Sequence, residues 1–194
     1  MFFEKKSKKV VIVFLVSILI ILANFAFAAA AEKYTFGAVI AGLRHPYYVA
    51  EKRGMDNAAK ELGVKLIVLD SANNAAQELA NIEDLITKKV DAILMTLTDE
   101  VTAGAAIEKA NKAGIPVITV DRTASSGEIV TYIGSDNIKM GSMAGDFLAV
   151  KLGYLGKVAE VQGIPGVSNV SKRGEGFNKA IAKYPGITVL ASQP

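Results

Sequence analysis

Twice this sequence ends a helical stretch on glycine and starts a β-branched run with the next residue: Leu62-Gly63-Val64 and Ala113-Gly114-Ile115. Glycine supplies the left-handed residue that terminates a helix, and each run behind it has the length of a buried strand. Helix and strand alternating across such short joints form βαβ units, whose strands lie parallel with right-handed crossovers and helices on both faces. The chain is thereby restricted to an α/β fold, a parallel sheet flanked by helices in a Rossmann-like three-layer lobe. Parallel strands are covered on both faces, so each reads as a nearly unbroken apolar run. Thr35 to Ala41, Lys65 to Leu69, Ala92 to Met95 and Ile115 to Val120 have that character.

The ends of the intervening helices are marked. Pro46, favoured in a first turn, opens a helix to Leu62 with Met55, Ala58, Ala59 and Leu62 as its apolar stripe. Asp70-Ser71-Ala72-Asn73-Asn74 offers turn and cap side chains for a second, which carries Leu79, Ile82, Leu85 and Ile86 on one face. A third follows Thr96-Leu97-Thr98-Asp99 and ends at Ala113. Beyond a polar loop, Thr123 to Glu128, a further strand is expected at Ile129 to Ile133. Gly134-Ser135-Asp136-Asn137 breaks it. A second series then starts: helix Lys139 to Leu152, strand Lys157 to Gln162, helix Lys172 to Lys183 and strand Ile187 to Ala191. The sequence stops directly after that strand, and two strands make a poor independent sheet, so a piece of a longer protein is expected.

The first residues stand apart. Lys5, Lys6, Lys8 and Lys9 precede an apolar stretch from Val10 to Ala23, and Ala26-Phe27-Ala28 with the following alanines forms a small-residue cleavage signal. That is the plan of a secretory signal peptide over residues 1–31; a retained anchor is the competing reading, since Val10 to Ala28 nearly spans a bilayer. The segment holds four lysines and one glutamate, a net +3 equal to the formal charge of the whole chain. The remainder of the chain is formally neutral, which leaves no electrostatic case for nucleic acid. There is no cysteine, hence no disulfide, thiolate nucleophile or lipid attachment point.

In an open α/β sheet, ligands bind outside the carboxyl ends of the strands. Ile115 to Val120 delivers Asp121 and Arg122 to that edge. A carboxylate accepts from neighbouring hydroxyls and a guanidinium donates to two oxygens, chemistry suited to a polyhydroxylated ligand. The pair equally suits a structural role, with Asp121 capping the next turn. Catalytic motifs are weak: Gly166-Val167-Ser168-Asn169-Val170 lacks the second glycine of a nucleophile elbow, and no P-loop follows a strand. Asp70, Asp99 and Asp121 come near strand ends, but nothing pairs them with a nucleophile. A sugar-handling enzyme stays as the minor alternative.

Several stretches together resemble one family, the type I periplasmic sugar-binding proteins, and most closely their ribose-binding group. They are Pro46-Tyr47-Tyr48, Val68-Leu69-Asp70-Ser71 with Asn73-Asn74, Ile115 to Arg122, Ser135-Asp136-Asn137, Glu160-Val161-Gln162-Gly163, Arg173-Gly174-Glu175-Gly176-Phe177 and Leu190 to Pro194. The resemblance implies a two-lobed clamp that closes on a monosaccharide, with a first lobe over residues 32–134 and a partial second lobe over 135–194. It places Tyr47 and Tyr48 as rings that sandwich a sugar, Asp121 and Arg122 as its hydroxyl-binding pair, and Arg173 as an arginine reaching in from the second lobe. His45 and Thr96 stand where ribose binders carry asparagines, so the donor and acceptor pattern is altered and a pentose or related sugar is expected. Arg44 is expected at the surface. The partners implied are the permease subunits of an ABC importer and a chemoreceptor; no cofactor or metal is implied. A regulator's sugar-sensing effector domain shares the fold, but the export signal stands where its DNA-binding segment would be.

Overall fold

The computed structural model describes residues 34–194; the expected signal peptide lies outside them. The chain runs β1 (Thr35–Ile40), α1 (Pro46–Leu62), β2 (Lys65–Asp70), α2 (Ala75–Thr87), β3 (Ala92–Thr96), α3 (Thr102–Lys112), β4 (Val117–Val120), β5 (Thr131–Ile133), α4 (Asn137–Lys151), β6 (Gly156–Val161), α5 (Ser168–Ile181) and β7 (Ile187–Gln193). Five strands form one parallel sheet in the order β2-β1-β3-β4-β5, and β6 pairs in parallel with β7 in a second.

The glycine joints behave as their chemistry requires. Gly63 and Gly114 adopt φ 65° and 75°, the left-handed region that a Cβ disfavours. Asn74 caps α2 by accepting the Ala76 and Gln77 amides at 2.9 and 3.0 Å. The core of the first sheet gathers Val39, Ile93, Met95 and Val117 against Ile82 and Leu85 of α2 and Ala103, Ile107 and Ala110 of α3. A smaller cluster of Ile40, Ala41 and Tyr48 seats the first turn of α1.

The structure corrects several expectations. In α1 only Tyr48 is buried; Met55 and Ala59 are half-buried, while Ala58 and Leu62 of the expected stripe are exposed. The reason is topological: β2 is an edge strand, so the helix crossing to it has sheet beneath one flank only. β4 starts at Val117 rather than Ile115, because Pro116 has no amide to add to the ladder. β5 shrinks to three residues. α4 starts two residues earlier than expected, with Asp136 capping the Lys139 amide at 2.9 Å. α5 starts four residues early, at Ser168. Ser, Asn and Val are weak helix formers there, but contacts to the first sheet hold them. Thr123 N–H donates to Ser168 Oγ at 3.1 Å, and Glu100 N–H donates to Gly166 O just ahead of the helix at 3.0 Å.

Candidate ligand-binding cleft

The strand order reverses direction between β1 and β3, and such a switch point opens a crevice at the carboxyl edge of the sheet. Here the crevice is a cleft of about 760 Å³. Its floor and near wall come from the segments after β1, β3 and β4, and its far wall from the β6–α5 loop and the start of α5.

The aromatic wall is set by the entry into α1. His45 is the N-cap, its Nδ1 accepting the Tyr47 amide at 3.2 Å, and Pro46 fixes the first helical position. Tyr47 and Tyr48 meet edge to face at 5.3 Å between centroids, and His45 leans on Tyr48 at 5.6 Å. Tyr48 is buried and Tyr47 half exposed. Burial, with the negative charge of Asp121 and Glu51 behind it, pushes the Tyr47 phenol up to about 12. The Tyr48 phenol is also raised, chiefly by burial, although the nearby Arg122 charge opposes this. Both stay neutral hydroxyl donors at any physiological pH. The Arg122 guanidinium lies 5.5 Å over the Tyr48 ring, a cation–π contact.

The charged pair after β4 is held by its backbone. Asp121 sits at φ 60°, an uncommon conformation for a residue other than glycine. Its amide donates to Ile133 O at 2.8 Å, and its carbonyl accepts from the Tyr132 hydroxyl at 2.9 Å. The kink turns both side chains inward. Arg122 Nη1 donates to the Leu97 and Thr98 carbonyls at 3.0 and 3.1 Å, which closes the end of β3 onto the end of β4. Asp121 Oδ2 is 3.9 Å from Arg122 Nε, too long for a hydrogen bond. Asp121 Oδ1 accepts from Asn169 Nδ2 of α5 at 3.0 Å. Arg173, one turn on, donates from Nε to Asn137 Oδ1 at 2.7 Å.

His45, Tyr47, Tyr48, Asp121, Arg122 and Arg173 all line the cleft, so residues far apart in sequence converge on it. Thr96 does not line it. It is fully buried beneath, and its hydroxyl donates to Glu51 Oε1. Arg44 is exposed. Glu51, Glu78 and Asn169 went unread as site residues in the sequence, and Asn137 was read only within the Ser135-Asp136-Asn137 stretch. Glu51 lies three and four residues after the tyrosines, on the same face of α1, so helical spacing contained that signal. Burial raises its carboxyl above the ordinary 4.5, against the pull of the Thr96 hydrogen bond. Glu78 is buried and accepts the Thr98 amide and hydroxyl at 2.6 and 2.7 Å, tying α2 to the cleft floor; burial raises it too. No local pattern marks Asn169. Among the described residues, no group of three or more His, Cys, Asp and Glu side chains is arranged to hold a metal ion.

A family profile described as a periplasmic binding protein domain matches residues 36–194. The chain belongs to the periplasmic binding protein family. Its fold is the type I form, a parallel sheet flanked by helices. The ribose import binding protein of Escherichia coli K12 is 47% identical over 167 residues, which cover 86% of this chain and 56% of that protein. Its Bacillus subtilis counterpart is 42% identical over 147 residues, covering 76% and 48%. A solved structure of an ABC transporter periplasmic solute-binding protein from Actinobacillus succinogenes, with bound D-allose, superposes with a TM-score of 0.74 at 34% identity, covering 83% of this chain and 59% of that one. The chain thus spans about half the length of the curated relatives it matches.

Proposed function

We propose that this chain is the ligand-gripping part of an extracytoplasmic solute-binding protein that captures a monosaccharide, a pentose or related sugar, and delivers it to an ABC importer. The observation that carries the reading is the convergence of two flat rings, Tyr47 and Tyr48, with Asp121, Arg122 and Arg173 on one cleft at the switch point of a parallel sheet. Sugar C–H faces pack on aromatic rings. Asp121 accepts from adjacent hydroxyls, and the two arginines donate to ring and hydroxyl oxygens. His45 adds an Nε2–H donor at the mouth, since its Nδ1 is taken up in accepting the Tyr47 amide, and Thr96 acts from below by holding Glu51. The role is binding, with no chemical change in the sugar.

We assign residues 32–134 to one lobe and residues 135 onward to the second, with Ser135 to Asn137 at a crossing, so that closure brings Arg173 toward Asp121 as in other hinged clamps. We also assign residues 1–31 to an export signal, with a mature N-terminus between Ala29 and Glu32; N-terminal sequencing of the secreted product tests this, and an intact Met1 on a membrane-bound product refutes it. For the ligand, calorimetric titration of the intact protein with pentoses, hexoses and polyols is the direct test. Saturable one-to-one binding of at least one of them supports the reading. Chemical conversion of the bound sugar, or no binding across the series, overturns it.

A further inference from the structure

The two charged groups assigned to the ligand, Asp121 from the first sheet and Arg173 from α5, are joined by an unbroken line of side-chain hydrogen bonds. Asn169 Nδ2 donates to Asp121 Oδ1 at 3.0 Å. Asn169 Oδ1 accepts from Asn137 Nδ2 at 3.1 Å, and Asn137 Oδ1 accepts from Arg173 Nε at 2.7 Å. The Asn137 amide also donates to Ser135 O at 3.1 Å, which anchors it to the segment between the two sheets. Both asparagines are buried, Asn137 at 3% and Asn169 at 7% exposure. An amide has a donor end and an acceptor end. Two amides in series therefore turn an acidic group at one end and a basic group at the other into one satisfied chain, with no carboxylate–guanidinium contact.

We propose that Asn169 is a positioning residue that aligns Asp121 and couples it to Arg173 across the cleft. The inference rests on the sugar-cleft reading for its ligand and on the hydrogen-bond line for its geometry. By occupying Oδ1, Asn169 fixes the rotation of the Asp121 carboxylate and leaves Oδ2 as the oxygen presented to a hydroxyl. By holding Asn137, it sets the amide that orients Arg173 Nε. A ligand that draws Asp121 forward therefore shifts Arg173 as well, and the two sides of the cleft respond together.

The test uses Asn169→Ala and Asn169→Asp in the intact protein, with D-ribose, D-allose and xylitol as probes. Asn169→Ala removes both links and is expected to weaken binding about tenfold, the scale of one charge-assisted hydrogen bond. Asn169→Asp sets a second carboxylate against Asp121. Binding should fall further at neutral pH and recover as the pH is lowered to about 5, because two adjoining carboxyls share a proton. A merely structural asparagine would not produce that pH profile. Parent-like affinity in Asn169→Ala, or a parent-like pH profile in Asn169→Asp, overturns the assignment. A second readout is independent of any ligand: exchange of the Arg173 Nε–H proton, followed by NMR in the unliganded protein, should be slow in the parent and at least about tenfold faster in Asn169→Ala. Should no probe bind the parent, the sugar reading fails while this measurement still decides the coupling; equal exchange in parent and variant overturns it.

Discussion

Replacing Asp121 perturbs the backbone and the charge of the cleft at the same point, and a series of substitutions separates the two. The residue adopts φ 60°. That conformation costs an ordinary Cβ-bearing residue about 1–2 kcal/mol, whereas Asn and Asp tolerate it through local hydrogen bonding and glycine adopts it freely. Its Oδ1 also accepts the Asn169 amide at 3.0 Å, and a hydrogen bond to a charged group contributes about 1.5–3 kcal/mol. Arg122 Nε, at 3.9 Å, adds little. Asp121→Ala incurs both losses, roughly 3–4 kcal/mol. Asp121→Gly incurs only the lost bond, about 2 kcal/mol. Asp121→Asn keeps the left-handed tolerance and an oxygen toward Asn169, so its cost is about 1 kcal/mol for the lost charge assistance. Urea denaturation of the unliganded protein should therefore order the variants parent, Asn, Gly, Ala from most to least stable. In calorimetry, Ala and Gly should both bind sugar at least about tenfold more weakly, because the half-buried carboxylate assigned to the sugar hydroxyls has been removed. An Ala variant as stable as the Asn variant would refute the reasoning, since neither the strain nor the Asn169 bond would then carry the energy assigned to it.

Three further substitutions have defined outcomes. Burial holds the Glu51 carboxyl above its ordinary 4.5, so the folded chain keeps a proton that the unfolded chain releases; this contribution is complete below 4.5 and is lost as pH rises through the folded value. Glu51→Gln should accordingly raise stability at neutral pH and remove the decline between pH 4.5 and the raised folded value, and urea midpoints measured across the pH range check this; an unchanged slope would count against it. A Cβ at Gly141 would overlap the Arg173 carbonyl oxygen, so Gly141→Ala should cost about 1–3 kcal/mol through overpacking and weaken sugar binding by moving Arg173; a parent-like melting temperature and affinity would show that α4 and α5 can separate freely. Asp99 accepts the Val101 and Thr102 amides at 3.0 and 2.9 Å at the start of α3, and those amides, Thr102's foremost, hold its carboxyl below the ordinary range. Asp99→Ala should cost about 1 kcal/mol, a loss that fades in acid once the parent's own Asp99 is protonated; thermal melts at neutral and acid pH measure it.

Residue order alone determined the alternation of elements. The Gly63 and Gly114 joints, the Pro46 helix start and the Asn74 cap act through neighbours one to four residues away, and such local chemistry is legible in one dimension. The apolar runs from Thr35 to Ala41 and from Ala92 to Met95 declared strands covered on both faces for the same reason, and strands formed there at Thr35–Ile40 and Ala92–Thr96. Tertiary structure decided what distance in sequence conceals. Helical periodicity identifies an apolar stripe but does not say how much sheet lies under it, so Leu62 emerged exposed beside the edge strand β2. Propensity delayed the start of α5, while contacts from Thr123 and Asp121, more than forty residues earlier, brought it forward to Ser168. Thr96 matched a ligand position by alignment of residues, yet the sheet buried it and paired it with Glu51. Asn169 carried no signal in sequence, because an asparagine becomes informative only when the fold brings a carboxylate to one end of its amide and a second amide to the other.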